Sequence, residues 1–412
     1  MANSILTMTM ITREALDVLH AKLSFLGGVN KQYDSQFAQS GAKIGTTLNI
    51  RMPPKYTTRT GASLTAQDYV DRSTPLTISS QIGVDVSFTS VELTMQMDDF
   101  RERFLEPAMA QLASTIESNC ITAAYKLSAD YVGTTNAQLT YKETMQMRQY
   151  INEKLGNGTN RRIALNPSDA VEFMDATKGL FVPVGNLTGQ FQEGMIGRTG
   201  GFDVYENTLI PSFTTGTMAG SALTTGANGT TTTSNSWVAS TTISVTGATS
   251  ATTLVAGDII TMSLVYDVHP ETKTALTRLK RFVVQTAVTM TTAATNYAVT
   301  VVPGLMWGIG NAFQNCFVSG ASSSGLTVTR ILTAGTVYNQ TLAFHRDAFV
   351  FGTADLIGDL PGADVGRANK DGISMRLARQ YAIASDQVAT HFDILYGFAG
   401  LYPELSVRSL HA

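Results

Sequence analysis

Between Leu76 and Leu127 the hydrophobic period of the chain switches once, from two to 3.6. At the even positions Leu76, Ile78, Ile82, Val84, Val86 and Phe88 are apolar, interrupted by Ser80, while Thr77, Ser79, Gln81, Asp85, Ser87 and Thr89 between them are polar. Side chains alternate across a strand, so this spacing predicts one long half-buried strand. A shorter alternation, Leu48, Ile50 and Met52, precedes it across a stretch from Pro53 to Pro75 punctuated by proline and glycine. The two runs read as one extended antiparallel hairpin. Two strands alone are marginal in water. Burying the apolar even-face side chains is worth roughly 9 to 18 kcal/mol, at about 1.5 to 3 each, so that face needs a cover. Directly after it, Phe100, Phe104, Leu105, Met109, Leu112, Ile116, Cys120, Ala123 and Leu127 recur at steps of three and four. This predicts a helix of about 30 residues, about 45 Å long, with Pro107 placing a start or kink near Glu106. A projecting hairpin that feeds a long helix suits contact between subunits better than it suits a catalytic pocket.

Composition points the same way. A chain of 412 residues, 43% hydrophobic, has material for two or three domains. Only 15% of residues are charged, against about 25% in an average domain, so much of the surface is expected to be covered by neighbours. A net charge of −3 excludes a strongly basic nucleic-acid reader or membrane-surface binder, which would need clustered Lys and Arg. Met1 to Ile11 lack a basic start followed by an apolar run, and no uncharged apolar stretch is long enough to span a bilayer. The chain therefore reads as soluble and unsecreted, with no membrane partner. Cys120 and Cys316 read as buried small hydrophobes without a disulfide.

Along the chain, Leu16, Leu19, Leu23 and Leu26 give an N-terminal helix ending at Gly27 and Gly28. Thr140 and Glu143 form a capping box ahead of a helix running to about Gly156. A short strand Arg161 to Leu165 leads into Asn166-Pro167-Ser168-Asp169, which supplies an N-cap, a first-turn proline and an early acid for the helix Ala170 to Met174. From Thr214 to about Ala251 the chain turns to Thr, Ser, Gly and Ala, either a flexible segment or a run of short edge strands. Strand-like runs follow at Asp258–Val265, Leu279–Met290, Tyr297–Val302 and Leu326–Leu332, which argues a small β-barrel or sandwich. A helical signature is expected at Phe344 to Phe351, then closing strands Ile373–Ile383, Val388–Phe398 and Leu405–Leu410. The fold class is α+β, a mixed core interrupted by an all-β module.

The order of these elements carries a resemblance, with Arg101-Glu102-Arg103 and Glu106-Pro107-Ala108 on the long helix, the Gly200-Gly201-Phe202-Asp203-Val204-Tyr205 turn and strand, Ala343 to Phe349, and Asp393-Ile394-Leu395-Tyr396-Gly397 to Pro403-Glu404-Leu405. Over nearly its whole length the chain resembles the major capsid proteins of tailed bacteriophages, the Hong Kong ninety-seven fold. Its middle, with Gly257-Asp258-Ile259-Ile260 opening a strand, resembles the extra β-barrel of coat proteins of the phage P-twenty-two type. The resemblance implies an N-terminal arm over 1–42, an extended hairpin loop over 43–90, a spine helix and peripheral domain over 91–135, and an axial domain over 136–213. It further implies an inserted β-barrel over 214–339 and the rest of the axial and peripheral domains over 340–412. The implied function is self-assembly into an icosahedral shell enclosing double-stranded DNA. The implied partners are other copies of the chain in pentamers and hexamers, scaffolding and portal proteins, and packaged DNA in non-specific proximity. The shell would be built in the host bacterial cytoplasm and would reside in the virion capsid. Some such proteins crosslink a loop lysine; Lys55 is the lysine near the tip here, and no crosslink is expected.

An enzyme reading finds little to stand on. His20, His269, His345, His391 and His411 fall singly, with no His-x-x-x-His or Cys-x-x-Cys pairing to present metal ligands. His345 beside Arg346 and Asp347 reads as a solvated helix start rather than acid–base machinery. Gly194, Gly197, Gly200 and Gly201 lack both the Lys-Ser/Thr ending of a phosphate loop and the strand–helix frame of a dinucleotide site. No catalytic residue, metal or cofactor is expected. Met95, Met97, Met145 and Met147 read as core filling. The expected contact surface is the hairpin: Arg51, Lys55, Tyr56, Arg59 and Arg72 towards its tip, and Leu76, Ile78, Ile82, Val84, Val86 and Phe88 on its apolar face. The alternative is another repeating subunit, such as a tail-tube, pilus or surface-layer protein, against which the long helix argues.

Overall fold

The structure, a computed structural model, describes residues 8–34, 47–64, 66, 72–89, 104–133, 139–156, 158–177, 197–219, 223–225, 237–247, 251–292, 295–308, 311–320, 325–358, 360–383 and 387–412. They fall into two compact units, one of residues 1–50, 75–121 and 349–401, the other of 51–74, 122–348 and 402–412. Met95, Met97, Phe100, Arg101 to Arg103 and Gly194 lie outside the described residues.

The first unit is built on a six-stranded sheet in the order 30–34, 349–354, 387–400, 373–382, 364–370, with 80–89 also paired to 387–400. Helix α1, Met8–Lys22, buries Ala15, Leu16, Val18 and Leu19, the i, i+3, i+4 stripe that the leucine spacing predicts. Helix α2, Glu106–Leu127, continues directly from a π-helical turn at 104–105, and Pro107 stands where the geometry changes, one of the causes of a break in a helix. Its 22 residues span roughly 33 Å at about 1.5 Å each. Met109, Leu112, Ala113, Ile116 and Cys120 form its buried stripe. Glu117 is buried among them, and its Oε1 accepts the Phe25 and Leu26 amides at 2.6 and 3.3 Å, so a charged-group hydrogen bond ties the turn after α1 to this helix.

The run Leu76–Thr89 is two strands, not one. Arg72–Thr77 pairs with Thr47–Met52, and after Ile78 and Ser79 the strand Ser80–Thr89 pairs antiparallel with 387–396, Ile82 opposite Ile394 and Val84 opposite Phe392. Local periodicity registers which side chains face inward, but a partner 300 residues away in sequence that completes the backbone hydrogen bonds leaves no trace in it. Gly83 marks the close approach: a Cβ there would sit 2.5 Å from the Asp393 carboxylate and 2.6 Å from the Phe392 carbonyl. The expected helix at Phe344–Phe351 is instead the end of the strand Val337–His345, a 3-10 turn Arg346–Ala348, and the strand Phe349–Ala354. Every residue of that last strand is buried, and strands covered on both faces read as unbroken apolar runs that mimic a buried helix.

In the second unit a mixed sheet runs 130–132, 406–411, 337–345, 161–165, 202–206, 198–199. Helices α3, Tyr141–Glu153, and α4, Pro167–Thr177, contribute Met147, Ile151, Ala170 and Phe173 to a core shared with Ile163, Leu165, Phe202 and Val407. The α3 capping box forms as the sequence predicts: Glu143 N donates to Thr140 Oγ1 and Thr140 N donates to Glu143 Oε2. Asn166 Oδ1 accepts the Ser168 amide at 3.2 Å, ahead of α4.

The all-β part closes on itself. Strands 259–268, 275–284, 297–302, 241–246, 223–225 and 327–330 pair in succession and the last returns to the first, with 316–318 added on 259–268. A closed ring removes exposed edges. Its interior holds Leu223, Ile243, Val245, Ile260, Met262, Phe282, Val284, Val299, Val301 and Val328. The Thr- and Ser-rich tract thus supplies barrel strands through its few aliphatic residues. Just outside this run, Thr214 pairs with Val337 and Phe213 with Tyr338.

Candidate assembly surface

The hairpin residues divide sharply by environment. Leu76 and Ile78 pack inside the first unit against Val350 and Ala354, with Leu48, Ile50 and Leu395 beside them. Both are buried within the single chain. Ile82, Val84 and Val86 are half-buried, while Gln81, Gly83, Asp85 and Ser87 on the opposite face are exposed, so the alternation of the sequence holds through the strand. Phe88 continues it in the backbone, paired with Val388. Arg51 is exposed, Tyr56 is 64% exposed, and Arg59 donates to the Gly61 carbonyl.

Arg72 departs from expectation: it is 4% exposed, donates from Nε to Pro53 O at 3.2 Å, and lies about 6 Å from the ring centroids of Phe313 and Tyr402. Its planar cation is sandwiched rather than solvated.

At the strand 80–89, His391 lies between Asp85 and Asp393, with Nε2 2.6 Å from Asp393 Oδ1. Arg376 Nη2 meets the other Asp393 oxygen at 2.6 Å. Asp393 is 1% exposed, and the Arg376 guanidinium offsets its buried charge.

In the second unit a larger set of charges joins the barrel to the mixed core. Lys154, just after α3, places Nζ 2.6 and 2.5 Å from the two oxygens of Asp267 on a barrel strand. Lys280 reaches Asp267 Oδ1 at 3.0 Å, and Arg278 reaches Oδ2 at 2.8 Å and Glu153 at 2.6 Å. Asp267, Lys154 and Lys280 are all buried. Burial alone would raise the Asp267 carboxyl, but Lys280 and Lys154 outweigh it and hold the group well below the usual carboxylate range. Arg278 and Arg281 also lie over the Tyr150 ring at 4.7 and 5.0 Å. Lys154 and Asp267 stand 113 positions apart, and no local pattern announces the pair. The only sequence signal is charge in otherwise apolar strand-like runs.

His345 is buried, 5% exposed, not solvated as expected. Its Nδ1 accepts the Asp347 amide, and burial pushes its pKa down. Among the described residues no group of three or more His, Cys, Asp or Glu side chains is placed to hold a metal, and no helix is long and apolar enough to cross a membrane. Cys120 and Cys316 are free and buried, with Cys316 pushed up to about 11 by that burial.

Among solved structures, the capsid of the cyanophage P-SCSP1u is 10% identical, with a TM-score of 0.45 over 95% of this chain and 88% of that one. The mature capsid of bacteriophage PhiM1 is 12% identical, with a TM-score of 0.44 over 94% and 86%. Mycobacterium phage Che8 is 9% identical, with 0.43 over 94% and 90%. No curated protein sequence matches. The family described as P22 coat protein, gene protein 5, matches residues 1–408. On that match, spanning all but the last four residues, the chain belongs to the P22 coat protein family and is a phage major capsid protein.

Proposed function

We propose that the contact between copies in the icosahedral shell is made by the strand 80–89 and the loop before it, through Ile82, Val84, Val86 and Phe88 with Arg51, Lys55, Tyr56 and Arg59. The observation that carries this is the division of that strand: Ile82, Val84 and Val86 are half-buried within the subunit, while Gln81, Gly83, Asp85 and Ser87 are exposed. A half-covered aliphatic row gains most from a neighbour, at about 25 cal/mol per Å² of apolar surface removed from water. Leu76 and Ile78 support the strand from inside instead. The barrel reads as an inserted domain over 214–339, supported by the pairing of Thr214 with Val337 at its base. The remaining division follows as an arm 1–42, hairpin 43–90, spine and peripheral part 91–135, and axial parts 136–213 and 340–412. The role is structural and without catalysis. Scaffolding and portal proteins serve as assembly partners in the host bacterial cytoplasm, and DNA is enclosed without sequence-specific contact, in keeping with a net charge of −3.

The test is assembly itself. Purified chain, alone and with a scaffolding partner, is expected to give shells under negative-stain electron microscopy. A small oligomer of fixed size under both conditions would overturn the reading.

A further inference from the structure

On the exposed face of the first unit's sheet, one histidine stands with a carboxylate at each ring nitrogen. Asp85 on the strand 80–89 lies directly opposite His391 on 387–400, and Asp393 follows two residues on, so all three side chains share one face. His391 Nδ1 meets Asp85 Oδ1, and Nε2 lies 2.6 Å from Asp393 Oδ1. Gly83, opposite Asp393, leaves the room for this arrangement: a Cβ there would press on the Asp393 carboxylate and come within 3.4 Å of His391 Cε1.

The two contacts differ. Asp393 is buried, and its other oxygen is fixed by Arg376 Nη2 at 2.6 Å. Asp85 is exposed and His391 half-exposed. A carboxylate only accepts, and a neutral imidazole carries one N–H and one lone pair. The fixed acceptor, Asp393, claims that N–H for Nε2 and leaves a lone pair at Nδ1 facing an anion. The contact with Asp85 therefore needs a second ring proton. The charges beside the ring favour it. Asp85, Asp393 and Arg376 together leave one negative charge uncancelled, and an imidazolium brings the group to neutrality. Beyond them, Arg367 opposite Arg376 turns to Leu356 O at 3.4 Å, and Asp355 accepts from Ser374 Oγ.

We propose that Asp85 and His391 form a proton-dependent clasp that fastens the strand 80–89 to the sheet. The clasped form carries one proton more than the open one, so it is favoured in acid and lost as pH rises through the ordinary imidazole range near about 6.5. The backbone ladder of the strand persists in both forms, and the clasp sets how often it opens. The clasp lies within one subunit and stands whether or not this strand contacts a neighbour in the shell.

The test is hydrogen exchange of the full-length chain, read by mass spectrometry on peptides covering 80–89. It is run at about pH 5.5 and about pH 8.5, on either side of the ordinary histidine value, each rate being divided by the intrinsic rate at that pH. Wild-type protection is expected to be about threefold higher at the lower pH, the scale of an exposed ion pair. Asp85→Ala is expected to show at both pH values the protection that the wild type shows at the higher one. Asp85→Asn keeps a partner for either form of the ring, because its amide donates to the lone pair and its carbonyl accepts from the N–H. Its protection is expected to be the same at both pH values. Asp85 is exposed, so both variants are expected to fold. Ser87→Ala, on the same exposed face, is expected to keep the wild-type difference. Equal wild-type protection at the two pH values, or a pH difference that survives Asp85→Ala, overturns the proposal.

Discussion

Asp267 shows how much a single residue can depend on its surroundings. Three cations hold its carboxylate in a buried place, and removing one member of such a set costs about 3–5 kcal/mol because it leaves uncompensated charge behind. Asp267→Asn is therefore expected to lower the unfolding free energy by that order, measured by urea titration at pH 7. The pH dependence has a definite sign. The folded carboxyl is depressed, so its stabilisation is fully present above the unfolded value near about 3.9 and is lost as pH falls below it towards the folded one. The wild type is expected to lose thermal stability steeply below about pH 4. The Asn variant is expected to lose less across the same window, and parallel curves would show that Asp267 is not the titrating group. At this scale sequence and structure agree where the chemistry is local. Thr140 and Glu143 stand three apart and can only cap one helix, whereas Asp267 and Lys154 become partners only once the barrel has closed. His345 misled for the same reason: beside Arg346 and Asp347 it looks solvated, yet its strand runs through the middle of a sheet.

Among elements, helices were the most legible. A helix closes its hydrogen bonds within itself, so caps and a 3.6 period nearly define it, and the change from π-helical to α-helical geometry falls at Glu106, beside Pro107. Strands show the facing of each side chain but not the partner, hence the single hairpin expected where two separate pairings exist. The strand 80–89 also fixes the design of an assembly test. Ile82→Lys with Val84→Lys places two charges on the half-buried face, where desolvation against a neighbour costs several kcal/mol per contact. Gln81→Lys with Ser87→Lys places the same charges on the exposed face. Asp85 is unsuitable as a control because it is tied to His391. The even-face variant is expected to remain folded by circular dichroism yet sediment as unassembled subunit, while the odd-face variant assembles. Equal assembly of both at matched concentration would place the shell contacts elsewhere.

At the scale of the molecule, the proposed insertion raises the question of how the barrel stays attached to the mixed sheet of the second unit. Its polypeptide leaves and returns at one point, Thr214 opposite Val337, and paired residues in an antiparallel ladder lie about 5 Å apart. A short Gly-Ser linker replacing 215–336 can therefore close the gap. The ionic joint makes the outcome more specific than loss or retention of folding. Excision removes Asp267 and leaves Lys154 without its carboxylate, and it removes Gly257, whose carbonyl accepts from the buried Arg408 Nη2. Lys154 follows α3 and becomes solvent-accessible once the barrel is gone. Arg408 stands on the strand 406–411 within the host sheet and keeps its charge in any environment. The excised chain is expected to retain the circular-dichroism signal of its helices and to unfold at lower denaturant than the full chain. Adding Lys154→Met is expected to change that midpoint little, because an exposed lysine carries little desolvation cost. Adding Arg408→Leu is expected to raise it measurably, because the arginine then lacks its acceptor within a packed sheet. If the excised chain instead loses its helical signal and neither substitution restores it, the barrel is part of the host's own folding unit and not an insertion upon it.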